Sequence, residues 1–224
     1  MVDRRLLVQA LVRYVVGAAL VALLVFVPAG TIRYPGGLLL MGCLFVPMFI
    51  VGIALLLHNP TLLRKRLSAR EQESAQRAVV AVSGLMFVAA FIVAGLSFRF
   101  GWLTAPGAVQ HGAAIVFLFG YMLYGEVMRE NTYLSRTVEV QRGQRVIDTG
   151  LYGVVRHPMY LATILMFLSM PLMLGSWVAF LIMLPYIPLM AARATNEEKV
   201  LARGLTGYQA YQKRVRWRLV PFVW

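Results

Sequence analysis

Four apolar segments, at about 6–28, 37–57, 78–98 and 108–128, occupy most of the first 130 residues, with short polar or Gly/Pro-rich turns between them. Each is about 20 residues long, the length a helix needs to cross the hydrocarbon core of a bilayer. A fifth apolar region, 159–192, exceeds one span and is interrupted at Gly175-Ser176, with Pro171, Pro185 and Pro188 inside it. That interruption predicts a helical hairpin whose arms are each somewhat short, so that it tilts or stops below the far surface. The pattern therefore predicts an all-α polytopic membrane protein: four full transmembrane helices plus a C-terminal helical hairpin, flanked by a polar loop and a polar tail. The chain divides at residue 107, with transmembrane helices in 1–107 and the chemically informative half in 108–224. The first segment, Leu6 to Val27 behind Arg4 and Arg5, is too long for a cleaved signal peptide and is expected to be a retained signal-anchor.

Composition agrees with this pattern. Hydrophobic residues make up 60% of the chain and charged residues only 14%, with a mean hydropathy of +0.72, outside the range of soluble domains. The net charge of +13 raises the question of a nucleic-acid partner, which the placement of the charges answers. Twenty of the 22 Lys and Arg residues lie at the N-terminus, in the loops 58–77 and 129–157, and in the tail after 192; Arg33 and Arg99 lie on the other side. Basic residues collect in cytoplasmic loops, so both termini are expected in the cytoplasm, with membrane lipids and not nucleic acid as partners. In the 58–77 loop, Arg64-Lys65-Arg66 followed by Glu71 and Glu73 reads as a short solvated or headgroup-bound helix. Cys43 is a single cysteine in an apolar run, and His58 and His111 stand alone at span ends, so no metal site is expected.

The functional clue is Asp148 to Tyr160, Asp-Thr-Gly-Leu-Tyr-Gly-Val-Val-Arg-His-Pro-Met-Tyr, where a polar loop turns into an apolar segment. Pro158 disfavours the α region for His157 and has a φ suited to the first helical position, so a helix should start at Pro158 with His157 at its N-cap. Such a start presents backbone N–H groups and the positive end of the helix dipole, a seat for a carboxylate or phosphate. The competing reading makes Arg156 and His157 interfacial anchors before a span. After the hairpin, Arg193 and Glu197 share a face if the last helix continues out of the membrane, either as an i,i+4 pair or as part of a site. Tyr208 and Tyr211 share a face as well, and interfacial packing is the expected role.

At these residues the chain resembles the isoprenylcysteine carboxyl methyltransferase family, over roughly 120–224. The resemblance lies in Gly150-Leu-Tyr152, Arg156-His-Pro-Met-Tyr160, a hairpin, Glu197-Glu198-Lys-Val-Leu201, Tyr208-Gln-Ala-Tyr211 and Pro221-Phe222, in that order. It implies a methyltransferase core in 108–224 that binds S-adenosyl-L-methionine (SAM) between loop and tail. Carried over by position, the cofactor contacts would be Gln141, Gln144, Arg145, Val146, Ile147, Tyr152, His157, Pro158, Met159, Tyr160 and Glu197, and Arg193 would face the methyl acceptor. The acceptor would be a lipidated or lipophilic small molecule, as in carboxyl O-methylation of an isoprenylcysteine. An acid of that kind needs orientation by Arg193 and no base. A thiol or a phospholipid amine would need a proton acceptor, for which Tyr160, Glu198 and His157 are candidates. Two further classes stand beside this one: an NADPH-dependent membrane reductase of sterol-like substrates, by analogy of architecture, and a non-enzymatic transporter or assembly factor, disfavoured by the lack of internal repeats and midplane charge.

Overall fold

The computed structural model describes residues 4–68, 74–133 and 140–224. The four apolar segments form long helices: α1 (Arg4–Ala29), α2 (Pro35–His58), α4 (Ser74–Phe100) and α5 (Gly107–Glu130). A short α3 (Pro60–Ser68) follows α2. Its start is capped by Asn59, whose Oδ1 accepts the Leu62 N–H at 3.1 Å. This places Arg64-Lys65-Arg66 on a helix as expected, while Glu71 and Glu73 lie outside the described residues.

The fifth region forms the hairpin. Its descending arm, α6 (Pro158–Met173), has 16 residues, about 24 Å of helix, less than the roughly 30 Å hydrocarbon core. The chain turns at Gly175 and returns as α7 (Trp177–Met183) and α8 (Tyr186–Gly204), broken where Pro185 cannot supply a backbone donor. The last helix does continue past the apolar region, and a final helix, α9 (Tyr208–Arg214), precedes a tail that turns back on itself at Arg218 to Trp224. Among the described residues the regular structure is all helix, with no strand, and five of its helical segments have the length and hydropathy to cross a membrane. The chain is an integral membrane protein.

Packing explains the order of the bundle. α5 lies along α6, where Gly120 allows the backbones to meet: a Cβ there would come within 2.9 Å of Met166 Cγ and 3.1 Å of the Ala162 carbonyl. α1 lies along α4, and α4 in turn touches α7 and α8, which seats the N-terminal helices against the hairpin. At the tip of the hairpin, Ser176 Oγ donates to Ser97 Oγ at 2.8 Å and accepts the Ala179 N–H at 3.1 Å, capping α7. Short backbone bonds, Ala105 N to Gly175 O and Trp177 N to Leu103 O, tie the 98–107 turn to the same place. That turn, in which no functional residue is expected, fastens the hairpin.

Candidate active site

The loop before α6 is held by a set of bonds that leave its side chains little freedom. Gly150 opens a 3₁₀ turn (Gly150–Gly153) with φ +48°, and a Cβ there would collide with the Glu130 carboxylate. That carboxylate accepts the Leu151 N–H at 3.1 Å. The Tyr152 hydroxyl accepts from Asn131 Nδ2 at 3.0 Å, and the Tyr152 carbonyl accepts the Tyr211 hydroxyl at 2.7 Å. The end of α5, the loop and α9 thereby form one wall. The tail closes behind it, since the backbone N–H groups of Arg156 and His157 donate to the carbonyls of Trp217 and Arg218 at 2.9 and 2.8 Å.

α6 starts at Pro158 with His157 as N-cap, as the sequence predicts. Arg156, His157 and Glu198 are all buried, at 8, 5 and 5% exposure. Burial of three ionisable groups is tolerated because they satisfy each other. Arg156 Nε donates to Glu198 Oε1 at 2.6 Å, His157 Nε2 lies 3.2 Å from the same oxygen, and Arg218 Nε donates to Glu198 Oε2 at 3.0 Å. The Arg156 guanidinium also donates to the carbonyls of Val215 and Arg216. Arg156 is thus neither an interfacial anchor nor a loose cation: it ties helix start, α8 and tail together.

In front of this cluster lies a second one. The Tyr160 hydroxyl donates to Glu197 Oε2 at 2.5 Å and accepts from Arg193 Nε at 3.1 Å. His157 stacks on the Tyr160 ring at 5.4 Å, and its Nδ1 lies 3.8 Å from Glu197 Oε2. Arg193 and Glu197, one turn apart on α8, meet through a tyrosine from α6.

These groups border a polar pocket. Gln144, Arg145, Val146 and Ile147 line one side, Tyr152, His157, Met159 and Tyr160 another, and Arg193 with Glu197 a third. Three expected residues lie elsewhere. Gln141 uses its amide to donate to the Tyr133 carbonyl at 2.6 Å, and its backbone N–H donates to Gln144 Oε1 at 2.8 Å, so it braces the turn that carries Gln144. Pro158 is spent on starting α6 and is buried beneath the lining. Glu198, a candidate proton acceptor from the sequence, sits behind the wall against Arg156, Arg218 and His157, and burial is outweighed there by its hydrogen bonds, which hold its carboxyl well below the usual carboxylate range and make it a poor base. It joins Arg156 and His157, at the start of α6, to Arg218 of the tail.

Other lining residues were not expected, among them Asn131, Tyr133, Leu201 and Tyr208. Tyr208 is the most informative. It is buried, and its hydroxyl has no hydrogen-bond partner among the described residues. Burial, with the charges of Glu198 and Glu197 acting in the same direction, pushes its ionisation well above the usual tyrosine range, so it remains a donor. The spacing Leu201, Leu205, Tyr208 and Tyr211 was the available signal: apolar and aromatic residues three to four apart, which the break between α8 and α9 brings into one cluster with Val140 and Val146 of the loop.

A second cavity, an apolar groove of about 520 Å³, lies between α4, α5, α6 and α8, a volume typical of ligand sites. It shares Met159, Tyr160 and Arg193 with the polar pocket.

The segment from α5 through α8 is where pocket and groove meet, and a family model matches it. Residues 109–206 match the phospholipid methyltransferase family model. The match supports a membrane methyltransferase and leaves its substrate open. A curated relative is the Delta(14)-sterol reductase of Mus musculus, 32% identical over 121 residues, covering 48% of this chain and 29% of that protein. The chain thus spans less than a third of the length of that relative. α1 to α4, Tyr208, Tyr211 and the tail lie outside the matched 109–206 segment.

Proposed function

We propose that the chain is an integral membrane, SAM-dependent methyltransferase that acts on a lipophilic acceptor, with carboxyl O-methylation of an isoprenylcysteine-like or other lipophilic acid as the reaction that best suits its residues. The observation that carries the reading is the wall of Met159, Tyr160 and Arg193, which faces a polar pocket on one side and an apolar groove on the other. Family relatives of the matched segment generally use SAM. The pocket suits it: the Glu197 carboxylate can accept from ammonium or ribose hydroxyl groups, and the buried Tyr208 hydroxyl and the Arg145 guanidinium are donors for its carboxylate and ribose. When bound, SAM supplies an electrophilic methyl group. The protein's contribution is positioning and exclusion of water. Arg193 orients the acid from the groove side, and Tyr160, held between Glu197 and Arg193, sets the distance between the two compartments. For an acceptor with a proton to lose, such as a thiol or a phospholipid amine, the Tyr160–Glu197 pair is the candidate relay.

The cation asymmetry supports a cytoplasmic pocket and cytoplasmic termini. A second reading, an NADPH-dependent reductase of sterol-like substrates, is favoured by the similarity to the sterol reductase. Calorimetric titration of the purified protein with SAM and with NADPH separates the two. Saturable SAM binding with no NADPH binding is expected; NADPH binding alone would overturn the proposal. Labelled SAM supplied to membrane extracts then identifies the acceptor.

A further inference from the structure

α4 belongs to the part of the chain outside the matched segment, yet it forms one side of the apolar groove through Val79, Val80, Ser83, Gly84 and Phe87. These positions repeat every three to four residues and so form a single stripe along the helix. Two of them do not suit a stripe that merely packs against lipid chains.

Ser83 is the first. Its Oγ is buried and has no hydrogen-bond partner among the described residues. A serine inside a membrane helix ordinarily donates back to the carbonyl four residues earlier. This protein uses that solution elsewhere: Ser169 donates to the Leu165 carbonyl at 2.6 Å and Thr195 to the Ala191 carbonyl at 2.9 Å. The other aliphatic hydroxyl of the groove is also satisfied, Thr163 donating to the Tyr160 carbonyl at 3.0 Å, while Tyr160 is bonded on both sides. Ser83 alone among these carries an unmet donor in an apolar wall, which is costly unless a ligand meets it.

Gly84 is the second. A Cβ built there meets nothing within 4 Å, so no neighbouring helix requires a glycine at this point. Its effect is to leave space along the groove at the position that follows Ser83.

We infer that Ser83 and Gly84 form a specificity subsite for a hydrogen-bond-accepting oxygen carried within the lipid part of the acceptor, in addition to the polar end held at Arg193. The occupant is a lipid acid with an in-chain oxygen, such as a carbonyl, ester or amide group, and not a plain hydrocarbon chain. The inference rests on the proposed function for the identity of the groove's ligand, but its test reads binding and not methyl transfer.

The test is competition between matched probes for the purified protein in detergent: palmitate against a series of oxo-palmitates with the keto group moved along the chain, each displacing a fluorescent fatty acid. One keto position should bind at least tenfold more tightly than palmitate. Ser83→Ala should abolish that advantage while palmitate binds as well as before, and Gly84→Phe should weaken palmitate and oxo-palmitates alike by at least tenfold. Thermal melting checks that both variants remain folded. No preference for any keto position, or a preference that survives Ser83→Ala, would overturn the subsite; unchanged binding to Gly84→Phe would overturn the groove as the lipid site. A keto preference in a protein that binds no SAM would leave the subsite standing and remove the methyltransferase reading.

Discussion

Two buried polar clusters sit at opposite ends of α6, about 24 Å apart by the length of that helix, and they are built on different terms. At the hairpin tip, Ser97 and Ser176 are fully buried and bonded to each other, Ser176 caps α7, and the single Tyr34 hydroxyl proton is shared between the backbone carbonyls of Ala94 on α4 and Leu174 at the turn. All of these groups are neutral, and none lines a cavity described above. At the other end the groups are ionisable, the Arg and Glu among them held in ion pairs or hydrogen bonds, and layered. Glu198 with Arg156, His157 and Arg218 forms a rear layer, and Tyr160 with Glu197 and Arg193 forms a front layer on the pocket. Neutral hydroxyls paired with each other suffice to fasten helices. Burying four or five ionisable groups is a cost that fastening does not require, and it fits a site whose chemistry needs charge.

The largest expected effect tests the rear layer. Glu198→Ala leaves Arg156 and His157 buried without their anion and should destabilise the protein by about 3–5 kcal/mol, enough to prevent its purification in folded form. Glu198→Gln, which keeps one acceptor, should fold with a lower melting temperature. If Glu198→Ala melts like the parent, the rear layer is not structural. In the front layer, Tyr160→Phe should fold normally but reduce methyl transfer to a lipophilic acid by about 100-fold, in the range of a lost positioning group. Glu197→Ala should abolish SAM binding by calorimetry with the melting temperature nearly unchanged; retention of SAM affinity would remove Glu197 from the cofactor pocket.

Arg193→Lys separates grip from anchoring. A fork of hydrogen bonds cannot be replaced by an ammonium, so the acceptor KM should rise about tenfold with SAM affinity intact. Equal turnover by Arg193→Lys would leave the arginine with an anchoring role only. The smallest effect belongs to the neutral cluster. Ser176→Ala loses one cap and should cost about 1 kcal/mol of stability with no change in SAM or lipid binding; a change in binding would show that the hairpin tip communicates with the pocket. Single cysteines at Gln141 and Lys213 should label from the cytoplasmic side, and at Gly30 and Pro106 from the opposite side. Labelling of Gln141 and Lys213 from different faces would contradict the meeting of loop and tail.

Much of this molecule was legible without coordinates, because in a bilayer each span must satisfy its own backbone and so announces itself as an apolar run of fixed length. The four spans, the hairpin broken at Gly175 and the helix start at Pro158 are local consequences of hydropathy, glycine and proline, and they stand where the sequence predicts them. The gathering of loop 144–147, Tyr160 and Glu197 around one pocket followed from motif order in a resemblance, not from any local rule. What only the tertiary structure decided is the division of labour among neighbouring residues. Glu197 and Glu198 are adjacent in sequence, but helical geometry points them about 100° apart, one to the pocket and one to two arginines and His157 behind it. Gln141 and Gln144 are separated by one tight turn, and one braces that turn while the other lines the site. Ser83 looked like any small residue in a span until α6 and α8 were set opposite it. Partners distant in sequence assign these roles, and nothing within a few residues of each side chain encodes which partner it will meet.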